Sequence, residues 1–126
     1  MLKSYSAEAA LVPIVSGFAS HTLLMQHYSK HNPWDFQYKD ASEYLNRAKA
    51  FLEADLAVIG AEECIDPQSG DTVRYSRITE EFAVVNPQNA IRTYYKPKPR
   101  HLAPPGWPPL KVHSQATNYD YFKDNC

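Results

Sequence analysis

No apolar run in the sequence approaches the roughly 20 residues that a membrane-spanning helix needs. The stretch Ala9-Ala10-Leu11-Val12-Pro13-Ile14-Val15 is too short, and a proline interrupts it. Lys3 is the only early cation, so no signal-peptide pattern and no cleavable address are expected. Cysteine is scarce as well, with only Cys64 and Cys126. A scaffold that depends on disulfides usually carries more. The expected state is a half-buried strand thiol at Cys64 and a free thiol on the last residue, with a bond between them left open. Also missing are GxSxG, the P-loop, GxGxxG, HExxH and paired-cysteine metal motifs. No carboxylate pair stands in an apolar context, and Asp66 and Asp71, which flank a turn containing Gly70, read as ordinary hairpin chemistry.

What is present is ordinary in amount and uneven in placement. The 126 residues leave room for one domain and one core. A hydrophobic content of 44% and a charged content of 21% are those of a globular protein. The net charge of −1 argues against a generally basic nucleic-acid-binding protein. Its distribution does not. Eight acids (Glu53, Asp55, Glu62, Glu63, Asp66, Asp71, Glu80, Glu81) face only Arg74 and Arg77 between positions 53 and 81. Between Ile91 and His113 there are five cations (Arg92, Lys96, Lys98, Arg100, Lys111), two histidines and no acid. Such a stretch suits a polyanion, because phosphate contacts supply most non-specific affinity; it equally suits a solvated strand end and loop.

The spacing predicts a first helix from about Gly17 to His31, with Phe18, Leu24, Met25 and Tyr28 turned to a core. Pro33 stops it near Asn32. Asp40-Ala41-Ser42-Glu43 fits a capping box for a second helix, and Tyr44, Leu45, Ala48, Phe51 and Leu52 form its apolar stripe. The period then turns strand-like over Leu56–Ile65, Thr72–Ser76, Phe82–Val85 and Ile91–Tyr95, with turn-rich separators. The expected class is α+β: two N-terminal helices packed on a four-stranded antiparallel meander, closed by a short C-terminal helical turn over Asn118-Tyr119-Asp120-Tyr121-Phe122. One domain spans 1–126, and residues 97–116 form a proline-rich loop insertion. Six of the ten prolines lie there, from Pro97 to Pro109, which excludes a regular helix or central strand.

Two clusters could carry chemistry. His27 and His31 stand one helical turn apart with Lys30 between them, a spacing that suits a shared metal or an acid–base pair. The same residues read as a partly buried His27 beside a solvated Lys30 and His31. In Arg92-Thr93-Tyr94-Tyr95-Lys96, arginine suits a phosphate, threonine can donate to a non-bridging oxygen, and tyrosine can stack on a base. Strict alternation places Arg92 and Thr93 on opposite faces. A twist or bulge must bring them to one ligand; otherwise they belong to a plain edge strand.

The order of these pieces resembles a known pattern. A helix ends in His27-Tyr28-Ser29-Lys30-His31, Phe36 follows, and a second helix runs from Ala41 to Phe51. A Gly70-Asp71 turn leads to Arg74-Tyr75; Glu81-Phe82-Ala83-Val84-Val85 precedes Ile91-Arg92-Thr93-Tyr94-Tyr95-Lys96-Pro97; Tyr121-Phe122 closes the chain. Over residues 20–97 and 119–123 this is similar to the C-terminal toxin domains of bacterial polymorphic toxin systems, including contact-dependent growth inhibition proteins. Those domains belong to the barnase/EndoU/colicin/RelE-like ribonuclease superfamily. The resemblance implies a metal-independent endoribonuclease without a cofactor, with transfer RNA as its target. It would be secreted or displayed as part of a larger protein and act in the cytoplasm of a rival cell. Its partners would be the RNA, a cognate immunity protein and an accessory host factor. By the same resemblance, His27, Lys30, His31, Arg92 and Thr93 are catalytic, and Tyr95, Lys96 and Tyr121 contact substrate. The sequence departs from the pattern at Asn32, where a glycine is usual, and in the long link from Pro97 to Tyr119. The alternative is a non-catalytic interaction domain that binds a partner through loop 97–109; a third is a metal-dependent hydrolase using His27 and His31.

Overall fold

Alternating apolar residues between tight turns build a meander of four antiparallel strands, β2 (Ala61–Ile65), β3 (Thr72–Ser76), β4 (Phe82–Val85) and β5 (Ala90–Tyr95), in a computed structural model. It describes residues 17–31, 38–105 and 112–126, without the side chains of Lys30 and His31. The stretch 9–15, Asn32, Phe36, Pro108, Pro109 and Lys111 lie outside the described residues. The class is α+β as expected, but the sheet is mixed and five-stranded, in the order β1-β5-β4-β3-β2. The added strand β1 (Gly17–Phe18) pairs parallel with β5, Gly17 against Ala90 and Phe18 against Ile91. Gly17 has φ +111°, a conformation open to glycine and closed to a helix. The first helix, α1 (His21–His31), therefore starts four residues later than the spacing predicts. Ser20 caps it, its Oγ accepting from the Leu23 amide at 3.1 Å. Leu24 is buried on its inner side, while Met25, expected in the core, is exposed.

Helix α2 (Ala41–Glu53) begins as the capping box requires: the Glu43 amide donates to Asp40 Oδ1 at 2.8 Å. Glu43 Oε1 accepts from the Lys39 amide, also at 2.8 Å, one residue ahead of the usual partner. Its stripe packs Tyr44, Ala48, Phe51 and Leu52 against Ala83, Val85, Ile91 and Tyr94 of the sheet. Tyr44 donates its hydroxyl to the Tyr94 carbonyl at 2.6 Å. Tyr94 in turn donates to Glu81, and its pKa is pushed far above the ordinary tyrosine range, first by burial and then by the Glu81 charge. Residues 56–60, expected in the first strand, instead form a turn; Asp55 Oδ1 accepts from the Ala57 and Val58 amides there.

The opposite face of the sheet is covered by α3 (Asn118–Asp124), longer than the expected turn and on the other side from α1 and α2. Phe122 packs with Val73, Tyr75, Phe82 and Tyr95, flanked by Tyr119, Tyr121 and Cys64. Cys64 of β2 is bonded to Cys126, which corrects the expectation of two separate thiols. Of the proline-rich segment, residues 106–111 lie outside the described residues. β6 (Lys98–Pro99) pairs parallel with β7 (Val112–His113), and a 3-10 turn follows at Arg100–Leu102.

Arg74 couples the layers. Its side chain is buried on β3, where Nη1 donates to the Phe51 and Ala54 carbonyls at 2.7 and 2.8 Å and Nε to Glu63 at 2.8 Å. It thus satisfies the open C-terminal end of α2, which has no basic residue in its last turn. Arg74→Ala strands those acceptors and is expected to cost about 2–3 kcal/mol, read as a lower urea midpoint.

Candidate functional site

Strand β5 leaves regular alternation within its first turn of pairing. Asn86 holds the β4–β5 turn, its Oδ1 accepting from the Gln88 and Ala90 amides at 2.9 Å each, with Asn89 at φ +66°. From there Val85 pairs with Ile91 but Val84 with Thr93, so Arg92 is an extra residue on β5. This is a β-bulge. Ile91 and Tyr94 both sink into the cluster under α1 and α2, while Thr93 pairs with Val84, which packs on the α3 side. Arg92 reaches across β4, and its Nε donates to Asp71 Oδ2 at 2.8 Å. Asp71 precedes Val73 by two residues and continues its face, since the Asp66 amide extends the β2–β3 ladder onto the Asp71 carbonyl at 2.9 Å. The bulge therefore sets Arg92 beside Thr93 on the α3 side of the sheet.

Each of these side chains is held differently. Arg92 keeps 53% of its side chain exposed, and its two terminal nitrogens make no hydrogen bond among the described residues. Thr93 is half-buried at the end of the cross-strand row Cys64, Val73, Val84, Thr93. Asp71 is only 7% exposed; its amide donates to Ser69 Oγ at 3.2 Å, and Gly70 before it has φ +78°. Its Oδ1 is closed off from solvent and accepts no hydrogen bond among the described residues. A buried acceptor left so costs about 1–3 kcal/mol. Read from sequence as a turn residue, Asp71 joins Arg92 here from 21 positions away, a pairing that no local pattern reveals.

An aromatic wall adjoins them. The Tyr95 and Tyr121 hydroxyls lie 2.6 Å apart, so the structure joins these two expected substrate contacts to each other. Tyr95 is 9% exposed, its ring edge-on to Phe82, so Tyr121 presents the larger surface. His113, missed in the sequence, stacks on Tyr121 with centroids 4.4 Å apart and planes 10° from parallel. Its Nε2 lies 2.7 Å from Asn118 Oδ1. Asn118 Nδ2 donates to Glu80 and to the Pro97 carbonyl at 2.8 and 2.9 Å, which fixes the amide orientation. His113 Nε2 must then carry the proton. Lys96 is half-buried one residue beyond Tyr95.

The histidine helix lies elsewhere. His27 is half-buried with its ring 5.1 Å from Phe18, which pairs with Ile91 on the helix-covered side. The sheet thus stands between His27 and Thr93. Lys30 and His31 close α1, and their side chains lie outside the described residues. A shallow depression on α1 is lined by His21, Thr22, Met25, Gln26 and Ser29, away from Arg92 and Thr93. Among the described residues no three His, Cys, Asp or Glu side chains cluster as metal ligands, and no helix is long and apolar enough to cross a membrane. Chemically, the arrangement offers an outward cation, a hydroxyl beside it and an unsatisfied carboxylate behind them. Comparison of the chain with protein-family models and with curated proteins finds no match.

Proposed function

We propose that the chain is a metal-independent endoribonuclease domain of the bacterial toxin type, cutting RNA, with transfer RNA as the target, in the cytoplasm of a competing cell. One observation carries this reading: the bulge that sets Arg92 and Thr93 side by side, with the arginine's terminal nitrogens unengaged among the described residues. A guanidinium and a hydroxyl so placed suit two oxygens of one phosphodiester. In the proposed reaction the 2′-oxygen attacks its own phosphorus as the bond to the 5′-oxygen breaks. A base takes the 2′ proton, an acid protonates the departing 5′-oxygen, and Arg92 and Thr93 stabilise the charge on the phosphorane. His31 and Lys30, at the end of α1, are the preferred proton and charge carriers; because α1 lies across the sheet from Thr93, in this reading they act on the phosphodiester around the β1 edge. His27 packs on Phe18 and supports the helix. Tyr121 lines the substrate's path, backed by Tyr95 and Lys96. An immunity protein with an acidic surface would meet the cationic segment 91–113.

The test is incubation of the purified chain with total cellular RNA in excess chelator. Discrete cuts ending in 2′,3′-cyclic phosphate and 5′-hydroxyl are expected; intact RNA overturns the reading. The second reading, a partner-binding module, is favoured by Leu102, exposed on the 3-10 turn of a loop whose base is closed by β6 and β7. Expression without a partner that leaves growth untouched, together with intact RNA, would support it.

A further inference from the structure

We infer that Asp71 is the ribose-reading residue of this site: its Oδ1 accepts the 2′-hydroxyl of a ribonucleoside whose 3′-phosphate lies against Arg92 and Thr93. The inference rests on the phosphate-handling reading above and deepens it. It starts from the unsatisfied oxygen. A carboxylate paired with an arginine frequently engages the guanidinium fork with both oxygens. Here one oxygen takes Nε, and the other is buried with no donor among the described residues.

The missing donor can be narrowed by what stands next to it. The protein presents an anion beside a cation, Asp71 beside Arg92, with the Thr93 hydroxyl on the same side of the sheet. The complementary ligand carries a donor hydroxyl beside an anion. A ribose phosphorylated at its 3′ position has that pair on adjacent carbons; a deoxyribose has the anion alone. Since Oδ1 is closed to solvent, the hydroxyl enters as the Arg92 side chain turns outward to the phosphate. That side chain is half-exposed and tied to the described residues only through Nε, so it is the part able to yield. Asp71 itself is fixed by its hairpin: the Ser69 hydroxyl holds its amide, and its carbonyl closes the ladder with Asp66.

The probes are the four ribonucleoside 3′-monophosphates and their 2′-deoxy counterparts, none of which can be cut, with binding read by calorimetry. The wild-type chain is expected to bind at least one ribo form about tenfold more tightly than its deoxy form, as a hydrogen bond to a charged acceptor provides. Asp71→Ala, which removes the acceptor, should abolish this preference. Arg92→Ala should weaken both forms alike and keep it. Equal affinity of the wild type for both forms overturns the inference and needs no variant; a preference that survives Asp71→Ala in a folded protein overturns it as well. RNA cleavage without ribose preference would fail this inference alone; neither cleavage nor phosphate binding would fail the functional reading with it.

Discussion

Alanine at His31 or at Thr93 is expected to remove RNA cleavage while leaving the fold intact. Loss of a general acid or base costs about 10²–10⁴-fold in rate, and loss of one donor to a developing oxyanion about 10²–10³-fold. The structural cost should be small at both positions. His31 is the last residue of α1, where alanine is the better helix former. The Thr93 hydroxyl makes no hydrogen bond among the described residues, and its strand neighbour Val84 remains paired through the backbone. His27→Ala is the contrasting control. It removes a ring packed on Phe18, at the joint between β1 and α1, so melting temperature should fall while cleavage by the remaining folded protein persists. Single-turnover cleavage beside a thermal melt separates these outcomes. Full cleavage by both His31→Ala and Thr93→Ala would mean that the chemistry sits elsewhere on the molecule.

Local patterns read well where the cause of structure is local. The α2 cap needs only Asp40 and Glu43, three residues apart, and the strands at Thr72–Ser76 and Phe82–Val85 are bounded by their own turns. The errors fall where a distant partner decides. Gly17 and Phe18 are a strand only because β5 offers an edge, and two residues carry no period of their own. Cys64 and Cys126 stand 62 positions apart with no framework to suggest a pair. The site shows both sides of this. Its cation and hydroxyl were legible as residue types suited to phosphate, together with the condition that a bulge must reconcile their faces. The bulge itself depends on how β4 meets β5, one residue out of register between Val84 and Val85. Asp71 and His113 were invisible as members because their partners, Arg92, Tyr121 and Asn118, come from other elements.

Reduction of the Cys64–Cys126 bond is expected to lower stability by about 4 kcal/mol, the chain-entropy value for closing a loop of this length. That is a large share of the roughly 5–15 kcal/mol by which such domains are folded. On the order of 10–20 °C in melting temperature should go with it. The effect should begin at α3. Seven residues cannot hold a helix in water unaided, and α3 is tied to the sheet by this bond at one end and by Asn118 at the other. Between those ties lie Phe122 on Tyr75 and Tyr121 on Tyr95 and His113. Hydrogen exchange after treatment with a dithiol reductant, or in a Cys64→Ser, Cys126→Ser variant, should therefore lose protection in 118–124 before β3 and β4. A melting temperature unmoved by reduction would show that aromatic packing alone holds α3. In the proposed setting the distinction has a consequence, because a disulfide made outside the cell meets reductants in the cytoplasm. Arg92, Thr93 and Asp71 are held by β3 and β5, not by α3, so phosphate binding should outlast reduction while contacts through Tyr121 weaken.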